Sequence, residues 1–164
     1  MKCQWCHSAM KKTDKFCSHC GRDVMQPFKE FVPSDHYKLP KKIVTLIKES
    51  GHSYKQIAKE LQKCKGFENY KLSDLWEMVY TEDTYWSSEQ NLKPLENDNH
   101  IKKYKISFID DEFTCEKCKE KAKHEFYIKR RKRGVNMPPF HSYCRCGIIF
   151  VVPDLNEMLE KTKK

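Results

Sequence analysis

Four close cysteine pairs, three stretches with apolar residues at helical spacing and three short strand-like runs predict an α+β chain. Its expected parts are a small N-terminal zinc ribbon over residues 1–24, a linker over 25–40, and an α+β domain over 41–164. That last domain has a helical middle and a small C-terminal β-sheet pinned by a second zinc site.

The first part rests on Cys3, Cys6, Cys17 and Cys20, spaced C-x2-C-x10-C-x2-C. Two residues between cysteines let a tight turn aim both thiolates at one ion, and two such turns make a closed tetrahedral sulfur site suited to zinc, with iron as the chemical rival. A closed site has no position for substrate, so its role is structural. So short a module buries too little apolar surface to fold alone, and metal binding supplies the difference. Lys2, Lys11, Lys12, Lys15 and Arg22 can offset the thiolate charge, and His7 and His19 read as solvated residues. The stretch ending in Gly21 resembles common zinc-ribbon modules. Pro27, Pro33 and Pro40 mark the linker.

In the middle, Ile43, Val44, Leu46 and Ile47 predict a helix that Gly51 stops. Ser53 and Gln56 form a capping box for a second helix, with Ile57, Ala58 and Leu61 on one face and Gly66 beyond its end. Asp74 and Glu77 open a third, with Trp76, Val79, Tyr80 and Trp86 facing inward and Pro94 past its end. Asn97–His100 is polar and loop-like. Tyr104, Ile106 and Phe108 alternate with Lys103, Lys105 and Ser107, a strand pattern. Residues 126–128 and 147–152 supply two more strands. Asp154 caps a final short helix containing Leu155, Met158 and Leu159.

The second metal constellation joins Cys115 and Cys118 to His141, Cys144 and Cys146. Five candidates compete for four positions, and His141 is either a ligand or a hydrogen-bond partner of one. Cys144 and Cys146 lie two apart and share one face of an extended chain. The segment 110–153 is charged and poor in apolar residues, so a cross-link between its ends stabilises it. A redox role for Cys115 and Cys118 lacks a thioredoxin-like context. The ninth cysteine, Cys64, reads as a packing residue or free thiol at a helix end.

Composition bounds the rest. Hydrophobic residues are 38% and charged residues 34%, with aromatics at 12%, enough to argue against a wholly disordered chain. No apolar run approaches a membrane span, and the opening residues lack an apolar signal segment, so secretion and membrane insertion are not expected. Nine cysteines in that setting point to metal rather than disulfides. The net charge of +9 suits either polyanions or solubility. The run Lys129, Arg130, Arg131, Lys132 and Arg133 is the best polyanion candidate. From Cys115 to Arg133 there are nine Lys and Arg against three Glu.

A family resemblance covers about residues 38–152. The element Asp111-x-x-Thr114-Cys115-x-x-Cys118, followed by Pro138-Pro139-x-His141-x-x-Cys144-Arg145-Cys146, resembles the C-terminal signature of the phage Mu F-like head morphogenesis (minor head protein) family. Gly51–Ala58 is similar to the family's Gly-x-Ser-x-x-x-Ile-Ala helix start, and Thr81-Glu82 to its Thr-Glu motif. The chain departs from the pattern at residues 121–124 and at Ser142, and carries a ribbon where many members have a long helical region. The resemblance implies a non-enzymatic protein of head assembly, a virion component or an accessory protein. It would work in the virion or host cytoplasm with portal or capsid partners and contact with phage DNA. Within the motif, Arg145 and Asp111 read as braces of the metal-pinned loop, with Glu82 a further partner for Arg145 or a lysine.

Two readings from other classes compete. A zinc-ribbon regulator of nucleic acid is suggested by the helix pair around residues 51–61, which superficially resembles helix-turn-helix. A zinc-supported nuclease is suggested by cysteine pairs bracketing Asn136 and His141, but it lacks an evident general base and catalytic metal site.

Overall fold

The computed structural model describes residues 1–3, 9–13, 37–49, 51–111 and 114–153. Cys6, Cys17 and Cys20, most of the expected linker and the expected final helix lie outside them. The chain divides into two units, one of Met1–Asp83 with His141–Cys144, the other of Thr84–Phe140 with Arg145–Lys164. The architecture is mixed: four α-helices and one antiparallel three-stranded sheet among the described residues.

The first unit contains α1 (Lys41–Lys48), α2 (Tyr54–Gln62) and the opening of α3 (Leu72–Leu92). Ile43 and Ile47 stand four apart on α1, so one stripe is buried and packs on α2, whose Ile57, Ala58 and Leu61 are buried in turn. Gly51 separates the two helices at φ +112°, a conformation that disfavours any residue with a Cβ. The predicted capping box is present. Gln56 N–H donates to Ser53 Oγ at 3.3 Å, and Ser53 N–H donates to Gln56 Oε1 at 2.9 Å. Tyr54 then ties α2 to α3, because its hydroxyl donates to Asp83 at 2.8 Å and its ring meets Trp76 and Tyr80 edge-on. Burial and that hydrogen bond together push the Tyr54 phenol well above its ordinary value.

Helix α3 starts two residues before the expected Asp74, which falls in its first turn where a carboxylate favours the positive helix end. Leu75, Val79 and Leu92 are fully buried, yet so are Thr81 and nearly so Glu77, Glu82 and Ser88. Trp76, Tyr80 and Trp86 are half-buried, and the first two pack their rings on Tyr54 and Tyr143. Pro94 does not end the helix abruptly; a 3-10 turn, Lys93–Leu95, accommodates it.

In the second unit the strands β1 (Lys103–Ser107), β2 (Glu125–Tyr127) and β3 (Gly147–Val151) form a sheet in the order β2-β1-β3. Register places Tyr104 between Phe126 and Phe150, and Ile106 beside Ile148, so these residues share the inner face. Tyr104 is fully buried and its hydroxyl donates to the Asn136 carbonyl at 3.0 Å. On the other face Lys103 and Lys105 both pair with Glu125, at 3.2 and 3.3 Å.

A fourth helix, α4 (Glu116–Ala122), was not expected. It packs on β1 and holds itself with local pairs, Glu116 with Lys119 and Glu120 with Lys123 and His124.

Arg131 is a polar anchor of this unit. Its guanidinium donates to both Glu89 oxygens at 2.8 and 2.6 Å and to Glu96 at 2.5 Å. The Arg131 hydrogen bond holds the Glu89 carboxyl below its usual range, against a smaller opposing effect of burial. A depressed carboxylate adds stability above its unfolded pKa and loses it as pH falls through the folded value.

Two outcomes follow for stability. Ser53→Ala removes the cap and costs about 1 kcal/mol, a fall in Tm of roughly 2–4 °C in a thermal melt. Arg131→Met leaves Glu89 without its fork and costs about 1.5 kcal/mol at pH 7, a low figure because the site is partly open to water. In urea unfolding that difference shrinks as pH falls through the acidic range in which Glu89 takes up its proton.

Candidate metal centre

The Cys115–Cys118 knuckle is built by the start of α4. Cys115 is the N-cap residue in an extended conformation, and the Cys118 N–H donates to its carbonyl at 3.1 Å. Three residues apart on the first turn, the two side chains lie on one side. Cys118 is 2% exposed and Cys115 half-buried.

The other half comes from a tight loop before β3. His141, Cys144 and Cys146 are all buried. His141 Nδ1 lies 2.7 Å from the Ser142 carbonyl, which can only accept. An Nδ1–H donated to that carbonyl would leave the Nε2 lone pair for a metal. Tyr143 adopts φ +57°, a left-handed conformation unusual for a bulky residue. Its ring lies 5.3 Å from that of Trp76 and 5.5 Å from that of Tyr80, and its N–H points to Thr81 Oγ1 at 3.5 Å. The Thr81 of the Thr-Glu motif thus has a physical task in holding this turn.

Ligand atoms meet in two overlapping groups, Cys115 with Cys118 and His141, and Cys118 with Cys144 and Cys146; within each they lie within 4.8 Å of one another. Cys118 is common to both. Tetrahedral bonds of about 2.3 Å place ligand atoms roughly 3.8 Å apart, so small adjustments close such groups round an ion. The predicted residues thus fall into these two groups, either of which could hold a metal ion.

Asp111, Thr114 and Arg145 brace the loop. Arg145 donates to the two Asp111 oxygens at 2.9 and 2.5 Å and to Thr114 Oγ1 at 3.2 Å. The Thr114 hydroxyl also bonds the Ile109 carbonyl. This planar fork joins the chain leaving β1 to the chain entering β3, next to the Ser107–Gly147 end of the ladder. Glu82 is 3% exposed.

Of the N-terminal set, Cys3 alone lies among the described residues. It is fully buried where Lys2 pairs with Ala9 and Met1 and Met10 exchange backbone hydrogen bonds at 2.9 Å. Cys64, at the end of α2, places its sulfur 3.4 Å from the Glu60 carbonyl, as a packing residue does.

The basic run divides. Lys129, Arg130 and Lys132 are exposed, whereas Arg131 is held by Glu89 and Glu96, and Arg133 is 6% exposed with its guanidinium 4.5 Å from the Tyr85 ring centre. It is not a continuous outward stripe of five. Asn136, singled out by the nuclease reading, uses both ends of its amide on the Arg130 carbonyl and the Lys132 N–H. The Arg131 anchor escaped the sequence reading because its partners lie 42 and 35 residues away.

Fold and cluster together define a small α+β protein with Cys and His groups able to hold a metal. It belongs to the Phage Mu protein F like protein family, whose model matches residues 41–149. The match opens with α1, closes inside β3 and includes all five C-terminal candidate ligands. No curated protein and no solved structure shows significant similarity to the chain. The family points to a structural role connected with the phage head. Among the described residues no helix is long and apolar enough to cross a membrane.

Arg145→Lys keeps the charge but loses the fork. If the Cys and His groups are loaded with a metal ion, the variant should release it to a colorimetric chelator about tenfold faster than the parent, while Lys132→Gln changes nothing.

Proposed function

We propose that this protein is a non-enzymatic component of phage head assembly, structural or accessory, in which zinc holds interaction surfaces in shape. The carrying observation is the buried gathering of ligand atoms round Cys118 inside the family-matched stretch. Four of Cys115, Cys118, His141, Cys144 and Cys146 bind one zinc ion. Thiolate and imidazole ligands suit zinc, and buried ligands suit a closed structural site. The ribbon cysteines Cys3, Cys6, Cys17 and Cys20 bind a second. The energetic case is the same for both: short charged segments gain from a metal cross-link what their apolar surface cannot supply. Its partners are portal or capsid proteins, and it works in the virion or the host cytoplasm.

Elemental analysis of purified chain should find about two zinc ions, as expected of two closed four-ligand sites. Cys118→Ser and Cys6→Ser should each lose one. In infected cells the protein should sediment with procapsids or mature virions, and absence from both would overturn the head assignment. Metal content and sedimentation are separate readouts, so either half can fail alone.

A further inference from the structure

We propose that the groove between residues 95–102 and 127–130 binds a nucleoside phosphate, its base against the Tyr127 ring and its phosphate on Lys102, Lys129 and Arg130. This goes beyond the head-assembly reading and stands or falls without it.

The groove encloses about 620 Å³, and all of its lining belongs to the second unit. That volume falls within the span of small-ligand sites, roughly 300–1,000 Å³. Tyr127 is 50% exposed although it sits in a paired strand opposite Lys103. Lys103 Nζ lies 5.2 Å and the Arg130 guanidinium 5.7 Å from its ring centre. A half-exposed aromatic ring set among cations offers a surface on which bases stack, whatever their identity, and charge that meets phosphate.

The cations sit on a fixed support. Lys129 and Arg130 belong to the 3-10 turn Ile128–Arg130, whose Ile128 is 1% exposed and donates its N–H to the Lys102 carbonyl at 2.9 Å. One hydrogen bond thus holds the segments carrying Lys102 and the other two cations together. Two carboxylates also line the groove, and each is answered from within the protein. Arg131 holds Glu96 at 2.5 Å, and the backbone N–H groups of His100 and Ile101 donate to Asp98 at 2.7 and 2.6 Å. Lys102, Lys129 and Arg130 have no carboxylate partner among the described residues. A ligand that brings both negative charge and a flat ring matches what the groove leaves open.

The test uses the full zinc-loaded chain with three probes: thymidine monophosphate, a ten-residue oligothymidylate and inorganic phosphate. Fluorescence polarisation follows the oligonucleotide and calorimetry the small ligands. The nucleotide probes should bind more tightly than phosphate. Tyr127→Ala should weaken them about tenfold, and Tyr127→Phe should bind like the parent. The double variant Lys129→Gln, Arg130→Gln should flatten the salt dependence of oligonucleotide binding, cutting its log–log slope by about 1.4. Binding of the monophosphate identifies a free nucleotide as sufficient, and binding of the oligonucleotide alone identifies a strand. The proposal is overturned if neither nucleotide probe binds, if phosphate alone binds as tightly, or if Tyr127→Ala leaves binding unchanged.

Discussion

The grip of Arg145 on Asp111 is the constraint on which the C-terminal half depends. It fixes the end of the β1–β3 ladder at the point where one strand leaves and the other enters. From that point the chain leads directly to Cys115 on one side and Cys146 on the other. A planar guanidinium holding both carboxylate oxygens sets direction as well as distance. The Thr114 hydroxyl adds a third contact, so the residue preceding the cysteine knuckle is held too. The spacing Asp111-x-x-Thr114-Cys115 is then a mechanical requirement: carboxylate, hydroxyl and thiol must stand in that order on one turn.

A similar economy governs the rest of the second unit. Its apolar core is small, centred on Tyr104, Ile128, Met137 and Phe140. Polar anchors do what apolar area cannot. Arg131 gathers Glu89 from α3 and Glu96 from just beyond it, and Asn136 fastens the loop that follows. A sequence with 34% charged residues can build a fold in this way only if many charges are turned inward or paired. Charge counted along the chain therefore overstates charge offered to a partner.

Local features were the legible ones. The capping box at Ser53 and Gln56, the stop at Gly51 and the alternation through β1 each act within a few residues, and each stands in the structure as read. Helix α4 was missed for a definite reason. Its sequence, EKCKEKA, has no apolar period, and it forms through good intrinsic propensity and charge pairs three and four apart. Long-range partners were legible only where a chemical type demanded company, as with the thiols round Cys118 and the fork of Arg145. The roles of Arg131 and Arg133 were hidden inside a basic run, because residue type alone does not say which cation turns inward. The buried Glu77, Thr81 and Glu82 were equally hidden, since a polar stripe on a helix ordinarily faces water.

The left-handed turn at Tyr143 makes two demands on one position. Backbone geometry there would be easiest for glycine, since a side chain in that region costs about 1–2 kcal/mol. The ring, however, is what seats the turn against Trp76 and Tyr80, and losing so large a buried group costs about 3–5 kcal/mol. Anchorage outweighs comfort, so the turn keeps its strain. The cost of the bend is thus met by neighbours on a helix some sixty residues upstream, and loosening those neighbours would let the bend relax.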